Sequence, residues 1–162
     1  LLDNLCRHLP AQEAAHWHRY VRWTAQLHEI GLNIAHTAYH KHTAYVLEHA
    51  DMPGFSRKEQ QILSTLALGQ RGDLRKMPEQ VGNNPMMWVA ILALRLAVLL
   101  CRARLPLDLP PSTLLNHQAG SQLFTLHIAQ SWLDDNPLTA DTLQFETDQW
   151  RKINIDFTVQ PH

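Results

Sequence analysis

The sequence holds little that could staple a fold or cross a membrane. It has two cysteines in 162 residues, Cys6 and Cys101, far apart and in no paired motif. That excludes a disulfide framework and a cysteine-rich zinc site, and two buried free thiols in a reducing compartment are expected instead. Glycine is scarce, with six in all, and no glycine-rich phosphate loop, Walker motif or nucleophile elbow occurs. The longest nearly apolar run, Pro85 to Cys101, is broken by Arg95. A membrane span needs roughly 20 apolar residues, so a buried core helix and no membrane span are expected. Aromatic residues make up 7% and do not alternate with basic ones as in base-stacking surfaces, so no nucleic-acid partner is expected. No signal-peptide pattern opens the chain, and a cytoplasmic location is expected. The first residue is Leu1 inside an apolar pattern, read as the edge of a piece cut from a longer protein.

What is present is apolar residues, 45% of the total, enough to build a core. Charge is nearly balanced at −1 but unevenly placed. Residues 1–105 carry 12 Lys/Arg against 8 Asp/Glu and eight of the eleven histidines, whereas residues 106–162 carry 2 against 7. Composition and period change at the same point. A helical domain is predicted over 1–105 and a small α+β domain over 106–162, joined by a stiff linker through Pro106, Pro110 and Pro111.

In the first part, helical spacing predicts the end of a helix up to His8 and a helix from Ala11 to Ile30, closed by Gly31. One or two helices follow from Ile34 to His49. The series Ser56-Arg57-Lys58-Glu59 is a capping box opening a helix to about Gly69. Loop and a short helix fill Gln70 to Asn84, and Pro85 starts the long apolar helix to about Arg104. In the second part, alternation predicts strands over Ser112–His117 and Leu123–Ile128, turning around Ala119-Gly120. A helix capped by Thr139 runs to about Lys152, with Leu143, Glu146 or Thr147, and Trp150 on one face. A third strand covers Asn154 to Val159. The fold class is mainly α: an HD-like helical domain followed by a ββαβ subdomain.

Leu27 to Gln60 carries the candidate chemistry. His28-Glu29 lies where a phosphohydrolase of the HD type presents a His-Asp metal pair. The glutamate is one methylene too long, and Val98 stands where the later acidic ligand is expected. A vestigial, hydrogen-bonded structural pair is therefore expected, with no metal bound. His36 and His40 are one helical turn apart, while His40 and His42 cannot share a helix face, so a closed three-histidine zinc site is not expected. Lys41 beside these histidines near a helix start suits a phosphate. Arg71, Arg75 and Lys76, in a glycine-containing loop, form a second basic cluster that could extend a polyanion track. Arg95 in the apolar helix needs a partner, with Glu29 or Glu48 suggested.

Leu27-His28-Glu29-Ile30-Gly31-Leu32-Asn33-Ile34, His36, Tyr39-His40-Lys41-His42-Thr43-Ala44-Tyr45, Met52-Pro53-Gly54-Phe55-Ser56 and Leu94-Arg95-Leu96-Ala97-Val98-Leu99-Leu100 resemble the C-terminal half of the exopolyphosphatase/guanosine pentaphosphate phosphatase family. The resemblance implies that catalytic lobes, with their Mg²⁺, belong to a part absent from this chain. It implies that this region binds inorganic polyphosphate, forms a homodimer and works with its own N-terminal catalytic domain. The phosphate contacts it implies are His36, His40, Lys41 and His42, with Arg71 and Arg75 less well matched. The chain by itself is expected to be inactive. Two alternatives stay open: an autonomous HD-type metallophosphohydrolase acting on a nucleotide such as a guanosine tetraphosphate, and a purely structural dimerisation module.

Overall fold

A computed structural model describes residues 2–102, 108–117 and 122–162. In chain order the helices are α1 (Leu2–Leu5), α2 (Ala11–Leu27), α3 (Tyr39–His49), α4 (Arg57–Gly69), α5 (Met77–Val81), α6 (Pro85–Leu100), α7 (Gln130–Asp135) and α8 (Pro137–Arg151). The strands are β1 (Leu114–His117), β2 (Leu123–Ile128) and β3 (Asp156–Pro161). The architecture is mainly α with a small C-terminal α+β region. Contacts divide the chain into two compact units. One is Leu9–Arg95; the other joins Leu1–His8 to Leu96–His162. The units part inside α6, and the opening residues belong with the C-terminal unit. The predicted boundary at 105/106, the Pro106 linker start, the helix end at Arg104 and the Ala119-Gly120 turn lie outside the described residues.

In the helical unit, Ser56 and Glu59 form the predicted capping box. The Ser56 N–H donates to Glu59 Oε2 at 2.8 Å, and the Glu59 N–H donates to Ser56 Oγ at 3.2 Å. The Ser56 N–H, and the Ser56 hydroxyl that donates to the same oxygen at 2.8 Å, favour the ionised carboxylate and hold the Glu59 carboxyl below its ordinary range. A cluster of Ala44, Leu47, Leu63 and Ala67 joins α3 to α4, and Tyr20, Trp23 and Phe55 pack around it. Burying each such leucine contributes about 1.5–3 kcal/mol. Gln60 is buried, and its amide donates to the carbonyls of Leu47 (3.1 Å) and Ala50 (2.8 Å), satisfying the C-terminal end of α3. Every residue from Val89 to Leu96 is buried, as the apolar run predicts.

Gly31 has a different role from the one expected. α2 already ends at Leu27, and Gly31 lies inside a 3-10 turn, Ile30–Asn33. A Cβ there would stand 2.2 Å from the Tyr39 carbonyl oxygen and 2.6 Å from the Thr43 nitrogen. Glycine is required because the turn and the start of α3 touch backbone to backbone.

In the α+β unit, β2 is central. It pairs antiparallel with β1, Leu115 opposite Leu126, and parallel with β3, Phe124 opposite Phe157. α8 buries Leu143, Glu146, Thr147 and Trp150 on one face, and the Trp150 Nε1–H donates to Glu146 Oε1 at 2.8 Å. Three expectations change here. Asn136 precedes α8 and Pro137 is its first residue, so Thr139 lies inside the first turn rather than capping it. α7, too short to show a period, was not expected. Cys6 is buried but Cys101 is exposed, because α6 stops at Leu100 and Cys101 falls in the turn beyond it.

Candidate anion-binding site

Basic and polar groups gather where α3 begins. Ala38 precedes the helix in left-handed backbone, φ 54°, and among the described residues no side chain caps the helix start. A non-glycine residue held there costs about 1 kcal/mol, so surrounding structure must impose it. The Lys41 N–H already donates to the Ala38 carbonyl at 2.8 Å, so the earlier N–H groups of the turn are the ones that can face an anion. His40 and Lys41 sit in that turn.

The loop after α4 closes over this start. Gly72 has φ +83°, and a Cβ on it would stand 3.2 Å from His40 Nε2. Glycine thus permits both the turn and the approach of the imidazole. Arg71 lays its guanidinium 5.5 Å over the Tyr39 ring, a cation–π contact that places the charge beside the start of α3. The loop is anchored by Arg95, which is buried. Its guanidinium donates to the Gly69 carbonyl at 2.9 Å and, through both terminal nitrogens, to the Gly72 carbonyl at 3.2 Å. Arg95 thus holds main-chain oxygens on both sides of Arg71, so one cation inside the fold braces the loop that carries another at its surface.

His40 reports the resulting field. Burial, followed by Lys41, Arg71, Arg95 and His42, lowers its pKa from 6.5 to about 4. The ring is therefore neutral at pH 7, and it does not protonate near pH 6 as a free histidine would. Its Nδ1 is buried with no hydrogen-bond partner among the described residues.

Of the six expected anion contacts, His40, Lys41 and Arg71 come together at this start. His42 is half-buried in α3 and close enough to oppose a proton on His40. His36 lies in the bend before α3, so the helical spacing expected between it and His40 does not form. Arg75 is held by Asp73, with Nη2 2.7 Å and Nε 2.9 Å from Asp73 Oδ2. That carboxylate pushes the guanidinium pKa further up.

The His28-Glu29 pair is arranged differently. His28 Nδ1 lies 2.6 Å from the Ala25 carbonyl oxygen. Its Nε2 is 3.9 Å from Glu29 Oε1, too long for the hydrogen bond expected between them. The His28 carbonyl accepts from the Thr43 hydroxyl at 3.0 Å and the Gln70 amide at 2.9 Å, tying α2, α3 and the loop after α4 together. Among the described residues, no three His, Cys, Asp or Glu side chains gather as a metal ion would require. Also among them, no helix is long and apolar enough to cross a membrane.

The Arg71–Tyr39 stack and the carbonyl clasp by Arg95 were not expected from the sequence. The one available signal was the pair Gly69 and Gly72 flanking Arg71, which marks a loop of special backbone.

A helical unit with cations gathered at a helix start, followed by a small α+β unit, is the class of molecule that fold and site define. The chain belongs to the Ppx/GppA phosphatase family, since residues 1–147 match that family's domain III. Curated relatives named guanosine-5'-triphosphate,3'-diphosphate pyrophosphatase agree. One from Pseudoalteromonas translucida (strain TAC 125) is 38% identical over 80% of this chain and 26% of its own length. One from Vibrio campbellii is 40% identical over 86% and 28%. One from Aeromonas hydrophila subsp. hydrophila is 35% identical over 82% and 27%. The chain thus spans about a quarter of the length of these relatives.

Proposed function

We propose that this chain is the substrate-holding domain of a guanosine pentaphosphate phosphatase, and that the start of α3 grips the phosphates. The relatives' names favour guanosine 5'-triphosphate 3'-diphosphate over the inorganic polyphosphate that the resemblance implied. Lys41 and Arg71 supply charge-assisted contacts, and neutral His40 supplies a ring nitrogen at their centre. Hydrolysis of the terminal phosphoanhydride, and the Mg²⁺ it uses, belong in this proposal to an N-terminal catalytic portion of a longer protein. A homodimer is part of it too. Leu138 and Phe145, seven residues apart on α8, are exposed apolar side chains that a second copy would cover.

The observation that carries the proposal is the convergence of Lys41, Arg71 and His40 on an uncapped helix start. The test is binding of inorganic tripolyphosphate to the chain across a salt series, with solution mass recorded on the same samples. Lys41→Ala and Arg71→Ala together should weaken binding roughly a hundred-fold and reduce the salt slope by about 2. His28→Ala should leave binding unchanged. A double variant that binds like the parent chain overturns the assignment, and a monomeric mass at all concentrations removes the dimer.

A further inference from the structure

The solvent face of α3 carries more than cations. Lys41, Tyr45 and His49 are spaced four residues apart and so share one helix face. Tyr45 is 63% exposed, a large ring that no core uses. His49 stacks on it, with ring centroids 4.3 Å apart and planes 22° from parallel. His49 Nδ1 lies 2.9 Å from the Tyr45 carbonyl oxygen, which fixes the imidazole against the phenol. The two rings form a rigid, solvent-facing aromatic platform. It begins about 6 Å along the helix axis from Lys41. Exposed Glu48 lies between the two rings in sequence and, seven residues from Lys41, on the same side of the helix.

We infer that this face is a nucleoside subsite: a guanine base stacks on the outer face of Tyr45, continuing the Tyr45–His49 stack, its phosphates run back to Lys41 and Arg71, and the Glu48 carboxylate accepts from the base. The inference rests on the proposed phosphate grip and adds the half of the ligand that the grip does not touch. Stacking alone is tolerant, because every base has a π-face. Discrimination comes from Glu48. Guanine presents a ring N–H and an amino group side by side, two donors matching the two oxygens of a carboxylate. Adenine presents an acceptor beside its amino group, which a carboxylate repels. A cation at one end and an acceptor at the other also set the direction in which the nucleotide lies.

The experiment compares GTP, ATP and inorganic tripolyphosphate, three ligands of equal phosphate number, on the chain and on Tyr45→Ala, Tyr45→Trp and Glu48→Gln. The parent chain should bind GTP roughly ten-fold more tightly than tripolyphosphate. Tyr45→Ala should erase that difference while leaving tripolyphosphate unchanged, and Tyr45→Trp should restore it. Glu48→Gln should shrink the preference for GTP over ATP. If Tyr45→Ala leaves GTP affinity untouched, or weakens GTP and tripolyphosphate equally, the base subsite is wrong and the phosphate grip stands. If the parent chain binds no tripolyphosphate, the grip fails and the subsite with it.

Discussion

Two histidine-centred regions lie in the same helical unit and use their polar atoms in opposite ways. At His28, the ring nitrogen meets a carbonyl within its own helix, and the main-chain oxygen receives two side-chain donors. Those polar groups are committed to holding elements together. At His40, a buried ring nitrogen has no partner among the described residues, three cations surround it, and the helix start beside it is uncapped. A buried polar atom without a partner inside the fold takes one from outside it, a water or a ligand. His28, half of the pair most like a familiar metal site, is held by local hydrogen bonds, and the less familiar run beyond it is the candidate site.

The strongest way to break this contrast is to remove Arg95. Arg95→Met fills similar space but leaves the Gly69 and Gly72 carbonyls without their donor, each worth about 1–3 kcal/mol. Urea unfolding should show a loss of about 3 kcal/mol, and tripolyphosphate affinity should fall because Arg71 is no longer held over Tyr39. Replacing a buried charge by a well-packed apolar side chain is sometimes neutral. Unchanged stability with unchanged affinity would mean that Arg95 does not organise the loop.

Much of this was legible in the sequence, and the reasons differ by element. The Ser56–Glu59 box announced α4 because both bonds are local to four residues. α6 and the alternation in β2 were visible because burial repeats with the period of the backbone. α7 was not, since six residues give no period to read. At the site, the cationic residues were visible but their pairing was not. Nothing local distinguishes Arg71 from Arg75. Only the folded loop shows that one stacks on Tyr39, far away in sequence, while the other folds back on Asp73. The role of Gly31 was hidden for the same reason, because the atoms it makes room for belong to Tyr39 and Thr43.

A gentler test sharpens the contrast through pH. His40 titrates at about 4 in the folded chain against 6.5 when free. Between those values the unfolded state binds the proton that the folded state refuses, so stability falls as pH drops through that window and is level above it. With the ring half open to solvent, the loss attributable to His40 should be on the order of 1 kcal/mol. Stability measured at pH 7 and pH 4.5 should differ less for His40→Gln than for the parent chain. A bound phosphate reverses the sign for this group by favouring its protonated form, so His40 should strengthen tripolyphosphate binding towards pH 4 rather than near pH 6. Identical stability profiles for the parent chain and His40→Gln would show that the field at this ring is weaker than its surroundings imply.

The smallest expected effect is the most discriminating. Arg75 is 70% exposed and already bound to Asp73, a surface pair worth about 0–1 kcal/mol. Arg75→Ala should change stability by less than about 0.5 kcal/mol. It also removes one positive charge beside Asp73, but salt at physiological strength screens that change over about 8 Å. Tripolyphosphate affinity should therefore fall less than about two-fold, whereas Arg71→Ala should cost roughly ten-fold. These arginines stand four residues apart in one basic loop, and composition alone ranks them equal. Equal losses would mean that the ligand draws Arg75 away from Asp73 and that the anion track continues along the loop. Unequal losses would confine the grip to the start of α3, because an arginine whose charge is already paired with a neighbouring carboxylate attracts a phosphate less.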